Sequence, residues 1–226
     1  MRGPLRLTCE EIHKPWDAVK HIAESTVRRL SLYLLFLEEF EARALDTISS
    51  TELAARGGTT STQVRKDLSF FGSFGKRGLG YPVVELASRI RQILGVEREW
   101  RVVIVGAGKI GLALAQYRGF AQRGFQVRAV YDSDPAKIGT RSDGFVIRAL
   151  DWLPSDARAE PVDIAVLAVP APAVQRVADL VVDAGVRAIL NFAPHQLKVP
   201  AHVAVKTVNM AMELEGLSFV LTNHDD

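Results

Sequence analysis

Val102-Val103-Ile104-Val105-Gly106-Ala107-Gly108-Lys109-Ile110-Gly111, running on into Leu112-Ala113-Leu114-Ala115, decides the fold. Four consecutive β-branched apolar residues predict a strand buried on both faces, the glycines a tight turn, and the small apolar run after them a helix. Each glycine has its own task in such a unit. Gly106 permits the turn, Gly108 lets a pyrophosphate come close to the backbone, and Gly111 lets the helix lie near the sheet. Ala107, Lys109 and Ile110 complete the loop, whose helix start offers free N–H groups to phosphate. Asp132 stands 21 residues beyond Gly111, at the end of the next apolar run, Val127 to Tyr131. A carboxylate there accepts hydrogen bonds from ribose hydroxyls and repels a 2′-phosphate, and no arginine adjoins it, so the pattern points to NAD(H) rather than NADP(H).

The same alternation continues downstream. Ile164 to Val169 and Ala188 to Phe192 are further short apolar runs, with helices expected at Lys109 to Arg123, Leu150 to Ala157, Pro172 to Ala184 and Asn209 to Leu221. Strands separated by crossover helices predict a doubly wound, mainly parallel Rossmann sheet. Ligands in such sheets sit beyond the carboxyl ends of the strands, which brings in Ala168-Val169-Pro170 and Asn191-Phe192-Ala193-Pro194; the alternative reading is that proline there only ends a strand. Tyr117 on the first of these helices either faces a nicotinamide or packs between domains.

Upstream the pattern is different. Val27, Leu30, Leu34, Leu35, Leu37 and Phe40 recur at helical spacing, with Ser25 or Thr26 as the expected cap. Ser49, Ser50 and Glu52 begin a short helix that ends at Gly57-Gly58. Thr60 or Ser61 then caps a helix over Thr62 to Phe71, with Val64, Leu68 and Phe71 on one face and Gln63, Arg65 and Lys66 off it. Short helix, glycine turn and polar-faced helix is the helix-turn-helix order. Gly72 to Tyr81 has four glycines and the adjacent cations Lys76 and Arg77, as suits a tight β-hairpin, or wing, with a basic tip. Pro82 then opens a helix that Gly95 closes. The fold class is therefore α/β, an N-terminal winged helix-turn-helix domain plus a C-terminal Rossmann domain. The divisions are a polar leader (1–24), the winged helix (25–96), the Rossmann domain (97–208), and a C-terminal helix and tail (209–226).

Charge agrees with this division. The formal net charge is only +2, yet residues 56–81 hold Arg56, Arg65, Lys66, Lys76 and Arg77 against the single acid Asp67. Residues 82–226 hold sixteen basic and sixteen acidic side chains, so the excess sits where a phosphate backbone could use it. No apolar run is long enough to span a bilayer, and Met1 to Lys20 lacks the features of a secretory signal, so a cytoplasmic location is expected. Cys9 is the only cysteine; disulfides and multi-cysteine metal sites are excluded, and redox sensing must pass through a bound cofactor. A dehydrogenase would need a positioned acid or base. His13, His21 and His224 lie near the chain ends and His202 in a loop, leaving His195, and little chain remains for a substrate domain. The expectation is a sensor and not an enzyme.

Taken together, Gln63-Val64-Arg65-Lys66-Asp67-Leu68-Ser69-Phe70-Phe71-Gly72, Gly75-Lys76-Arg77-Gly78-Leu79-Gly80-Tyr81, Val105-Gly106-Ala107-Gly108, Tyr131-Asp132-Ser133-Asp134-Pro135-Ala136-Lys137-Ile138-Gly139 and Asn191-Phe192-Ala193-Pro194 resemble the Rex family of redox-sensing repressors. The likeness runs from about Ser25 to Leu221. It implies a homodimer that exchanges its C-terminal helices, binds NAD⁺ or NADH in each Rossmann domain, and leaves an inverted-repeat DNA operator when NADH replaces NAD⁺. By resemblance the DNA-binding residues are Ser61, Thr62, Gln63, Arg65, Lys66, Lys76 and Arg77. Those on the cofactor are Gly106 to Gly111, Tyr117, Asp132, Lys137, Ala168, Val169, Pro170, Asn191, Ala193 and Pro194; no catalytic or metal-binding residue is implied.

The chain departs from the family in several places. Leu35 stands where the family commonly has an arginine and Asn209 where it has an aspartate, and those two form an interdomain ion pair in the family. Arg118 replaces a proline, His195 an aliphatic residue, and Met210 a larger or branched one. Two rival expectations follow: a DNA-binding paralogue whose dinucleotide is structural, and an NAD-dependent oxidoreductase.

Overall fold

The computed structural model describes residues 22–72, 74–75, 79–142 and 144–223. The chain divides into two compact units, Met1–Arg98 and Glu99–Asp226. None of the described helices is long and apolar enough to cross a membrane.

The N-terminal unit is built from α1 (Glu24–Ala42), β1 (Thr47–Ile48), α2 (Ser50–Arg56), α3 (Ser61–Ser69), β2 (Tyr81–Pro82) and α4 (Val83–Leu94). Its core is the apolar stripe of α1, with Leu30, Tyr33, Leu34 and Leu37 fully buried against Leu53, Val64, Leu86 and Ile90 of the other three helices. Ser49 caps α2 through a reciprocal box: its hydroxyl accepts from the Glu52 N–H while the Glu52 carboxylate accepts from the Ser49 N–H. Thr60 caps α3 by accepting from the Gln63 N–H at 3.1 Å. Gly95, in a left-handed conformation, ends α4.

Two local expectations need correction. α1 starts at Glu24 behind Ala23 with no side-chain cap, because the Thr26 hydroxyl turns inward to a buried partner. Pro82 precedes α4 in an extended conformation and is not its first residue. Of the hairpin expected within residues 72–81, residues 73 and 76–78 lie outside the described residues. At its end, Tyr81 and Pro82 pair antiparallel with Ile48 and Thr47. Gly80 makes this approach feasible, since a Cβ there would press on the Ile48 carbonyl and its φ of +77° belongs to glycine. Lys76 and Arg77 lie outside the described residues, as do Cys9, His13, His21 and His224.

The C-terminal unit is a seven-stranded sheet in the order β5-β6-β4-β3-β7-β8-β9. The strands are β3 (Trp100–Val105), β4 (Phe125–Asp132), β5 (Arg141–Ser142), β6 (Phe145–Ala149), β7 (Ile164–Leu167), β8 (Ala188–Asn191) and β9 (Ala204–Thr207). Every pairing is parallel except β5 with β6. Omitting β5, this is the doubly wound order, with its reversal between β3 and β7. Apolar side chains pack on both faces, which is why these strands read as continuous hydrophobic runs. The crossovers are α5 (Lys109–Ala115) with α6 (Arg118–Gln122), α7 (Leu153–Ala159) behind a 3₁₀ turn at Leu150–Trp152, and α8 (Ala171–Asp183). The single helix expected over Lys109 to Arg123 is broken. Tyr117 turns extended, and its ring lies against Gly119, where a Cβ would be 2.5 Å from it. The chain closes with α9 (Met210–Asn223), none of whose residues is buried.

Candidate functional site

Where the strand order reverses, the turns after β3 and β7 flank a cleft of about 580 Å³, within the range of about 300–1,000 Å³ typical of small-molecule and cofactor sites. Gly106, Gly108, Lys109, Ile110, Asp132, Lys137, Ala168, Val169 and Pro170 all line it, joined by Val105, Ser133, Leu150, Ala173, Val177 and Phe192. The glycines differ in what surrounds them. A Cβ on Gly106 would strike the Ala168 carbonyl and one on Gly111 the Gly106 carbonyl, whereas the place of a Cβ on Gly108 has nothing within 4 Å. Gly106 and Gly111 thus hold backbone against backbone, and Gly108 leaves a bare stretch of main chain facing the cleft. Open main chain in a mainly apolar cleft, with one acid at its edge, fits a dinucleotide.

That acid is Asp132, the last residue of β4. It is 8% exposed, and its carboxylate accepts from the Ala107 N–H at 2.7 Å, the Asp134 N–H at 2.9 Å and the Lys137 Nζ at 3.0 Å. Burial alone would raise its pKa, but the two backbone donors and the lysine outweigh it, so the group stays ionised below the usual carboxylate range. Oδ2 takes two of these donors and Oδ1 one, which leaves Oδ1 with capacity for a hydroxyl.

Ala107, Gly111, Tyr117, Asn191, Ala193 and Pro194 do not line the cleft. Asn191 is fully buried; its amide nitrogen donates to the Ala193 and His195 carbonyls at 3.0 and 2.9 Å, and its oxygen accepts from the Ala193 N–H. It ties the turn after β8 into one shape and so sets where Phe192, which does line the cleft, is held. Tyr117 is exposed and packs edge-on against Phe120 with ring centroids 5.2 Å apart. His195 is exposed and lies outside the cleft lining.

In the N-terminal unit, Thr62, Arg65 and Lys66 are exposed on α3, with Ser61 and Gln63 half-buried. The Arg65 guanidinium donates to the hydroxyls of Ser50 at 2.9 Å and Thr62 at 3.2 Å, which orients it across α2 and α3. Gln63 does not point freely outward. Its amide nitrogen donates to Asp67 at 2.8 Å. Asp67, wholly buried, also takes two bonds from Arg29 at 2.6 and 2.7 Å, one from the Tyr33 hydroxyl at 3.0 Å and one from Thr26 at 3.3 Å. Burial pushes its pKa up, yet the bonds from Arg29, Gln63 and Tyr33 prevail and hold it below the ordinary carboxylate value. Burial and the same carboxylate push the Tyr33 hydroxyl up. Sequence reasoning missed this network. Its one visible sign is an acid at the position three after Val64 on the apolar side of α3.

Two family descriptions match the chain: a CoA binding domain over residues 97–195 and the N-terminus of putative DNA-binding proteins over residues 21–69. The redox-sensing transcriptional repressor Rex of Syntrophomonas wolfei is 46% identical over 88% of this chain and 95% of its own length. The repressor of the same name from Thermus thermophilus is 46% identical over 89% and 95%. The chain belongs to the Rex family. Among solved structures, the Rex-family repressor RSP in complex with NAD⁺ and operator DNA superposes with a TM-score of 0.86, at 33% identity, over 91% of this chain and 95% of that one. RSP with NADH gives a TM-score of 0.82 at 32% identity over 91% and 97%. The Rex family's two-part plan accounts for finding a helix-turn-helix and a doubly wound sheet in one chain.

Proposed function

We propose that this chain is a redox-sensing transcriptional repressor that binds operator DNA through its N-terminal unit and is released when NADH replaces NAD⁺ in its C-terminal unit. The observation that carries the reading is the cleft at the β3–β7 reversal, with bare main chain at Gly108 and an ionised Asp132 at its rim, in a chain that also presents α3. RSP, an overall structural likeness at 32–33% identity, has been solved with NAD⁺ and operator DNA together and with NADH.

In this reading the Gly106–Gly111 turn receives the pyrophosphate, Asp132 accepts from an adenosine ribose hydroxyl, and Lys137 holds that carboxylate in place. Ala168, Val169 and Pro170 form the opposite wall, and the turn of Asn191, Ala193 and Pro194 supports it. Tyr117 stands at the nicotinamide end. The nicotinamide supplies the signal, because its two redox states differ by one positive charge and by ring planarity. Coupling between ligand and DNA in such a system is typically about 1–3 kcal/mol. Ser61, Thr62, Gln63, Arg65 and Lys66 would meet the major groove, and Lys76 and Arg77 the minor groove. The seven apolar side chains exposed along α9, from Met210 to Leu221, support a homodimer in which that helix is exchanged, and hence an inverted-repeat operator. The setting is the cytoplasm, where both the DNA and the NADH pool are.

A titration of selected operator DNA at varied NADH/NAD⁺ ratios tests this directly. Affinity that falls as the NADH fraction rises supports it, and affinity indifferent to the ratio overturns it. A second reading, a DNA-binding paralogue with a structural dinucleotide, is favoured by two side chains. Leu35 is 45% exposed on α1, and the Asn209 side chain accepts from the Ala211 N–H at 3.0 Å as the cap of α9, so neither offers the charge that the family pairs there. A flat titration with dinucleotide still bound would be its signature. Turnover of NADH with carbonyl substrates would instead favour an oxidoreductase.

A further inference from the structure

Arg29 has one face left over. Its Nε donates to Asp67 Oδ2 at 2.6 Å, and its Nη2 donates to Asp67 Oδ1 at 2.7 Å and to the Thr26 hydroxyl at 3.1 Å. A planar guanidinium gripped along that edge is fixed in orientation, and its remaining edge, Nη1, has no partner among the described residues. The side chain keeps 23% of its surface exposed, while Asp67 keeps none. Its position matters as much. The carboxylate that grips Arg29 also holds Gln63, the third residue of α3, at 2.8 Å. Arg29 therefore lies on α1 against α3, and its Nη2 shares the Asp67 Oδ1 atom with the Gln63 amide, which belongs to the N-terminal part of the helix that enters the major groove in this kind of unit.

We propose that Arg29 is a phosphate-positioning residue, presenting Nη1 to one backbone phosphate of each half-site while Asp67 aligns it with Gln63. This rests on the DNA-binding reading above. It differs in kind from the contacts expected of Lys66. The charge of Arg29 is already balanced by Asp67, so the pair brings a directed hydrogen bond but almost no net charge to the phosphate. Its contribution is register along the duplex, with little counterion release.

The test uses the full chain and an inverted-repeat duplex that the wild-type protein has itself selected from random DNA. Each backbone phosphate in turn is replaced by a neutral methylphosphonate. For wild type, one phosphate per half-site outside the reach of Lys66 should cost about tenfold in affinity, as expected for a hydrogen bond to a charged group. Arg29→Lys keeps a cation for Asp67 but has no second edge. It should bind the unmodified duplex about tenfold more weakly and lose nothing further at that phosphate, while the salt slope stays within about 0.5 of wild type. Lys66→Ala, by contrast, should lower the slope by about 0.9 for each phosphate released. NADH affinity should be unchanged in Arg29→Lys. If that variant does not fold, the double change Arg29→Met with Asp67→Asn removes both charges together and serves the same scan. A folded variant that keeps wild-type sensitivity at every phosphate overturns the assignment. A wild-type protein that selects no duplex overturns the DNA-binding reading as well, so the two failures are distinct.

Discussion

Asp67 and Asp132 are the two acids buried among the described residues, and each is held ionised against the cost of its burial. They are held by different means. All of Asp67's donors are side chains, from Arg29, Tyr33 and Thr26 on α1 and Gln63 on α3, and those on α1 lie 34 to 41 residues away in sequence. Asp132 is held by two backbone N–H groups and by Lys137, five residues on. The first carboxylate is saturated and joins two helices. The second keeps an oxygen in reserve at the edge of a cleft. Burial of an acid thus signals architecture in one unit and a binding position in the other, and the donor set tells which.

The largest effect should come from breaking the saturated one. Asp67→Ala leaves the Arg29 guanidinium and the fully buried Tyr33 hydroxyl without their acceptor, and removing one member of a buried pair typically costs about 3–5 kcal/mol. Urea unfolding of the N-terminal unit should show it; a loss under about 1 kcal/mol would mean that α1 and α3 are held by apolar packing alone. Asp132→Ala should cost less in folding and more in ligand, about 1–3 kcal/mol of NADH affinity, with a narrower gap between NADH and NADPH in calorimetry. Wild-type protein that binds both cofactors equally would remove Asp132 from the ribose.

Arg65→Ala should weaken operator binding by about 1–3 kcal/mol and relax preference at one base pair. Equal weakening on every sequence would class Arg65 as a phosphate contact. The Leu35→Arg and Asn209→Asp cycle, read as operator affinity with saturating NAD⁺ and with saturating NADH, should give a non-additive term of about 0.5–3 kcal/mol. Strict additivity would mean that the two positions are not coupled in this protein.

The smallest effect is the response to acid. Both folded pKa values lie below the unfolded value of about 4, so their stabilisation is complete above that pH and is lost as pH falls through the folded values. Nothing should be lost between pH 7 and 5 on their account. Asp67→Asn should flatten the acid limb of the N-terminal unit and Asp132→Asn that of the C-terminal unit, and crossed results would break the comparison drawn above.

The same contrast explains what could be read from the sequence. The β3 turn and Asp132 are legible because backbone geometry dictates them locally: β-branched residues run into glycines whose side chains have no room, and an acid ends the next strand. Capping of α2 and α3 is equally local. What could not be read depends on distant partners. The pairing of Tyr81 with Ile48 spans the whole helix-turn-helix, and β9 shows only once β8 lies beside it. The break between α5 and α6 depends on the Tyr117 ring folding over Gly119, which no periodicity announces. Asn191 read as a ligand residue because it ends a strand at the right edge of the sheet, and its amide groups are engaged with its own turn and with the Thr207 hydroxyl of β9.

The contact between Gly106 and the Ala168 carbonyl has a mechanical consequence. The two rims of the cleft meet here, beside the bond from the Ala168 N–H to the Val105 carbonyl, so they behave as a single jaw whose gape is set by a missing methyl group. Any side chain at position 106 is a wedge, and what it pushes open is the loop of Val169 and Pro170. Selection acting on that loop is therefore constrained from across the sheet, by an atom that is not there.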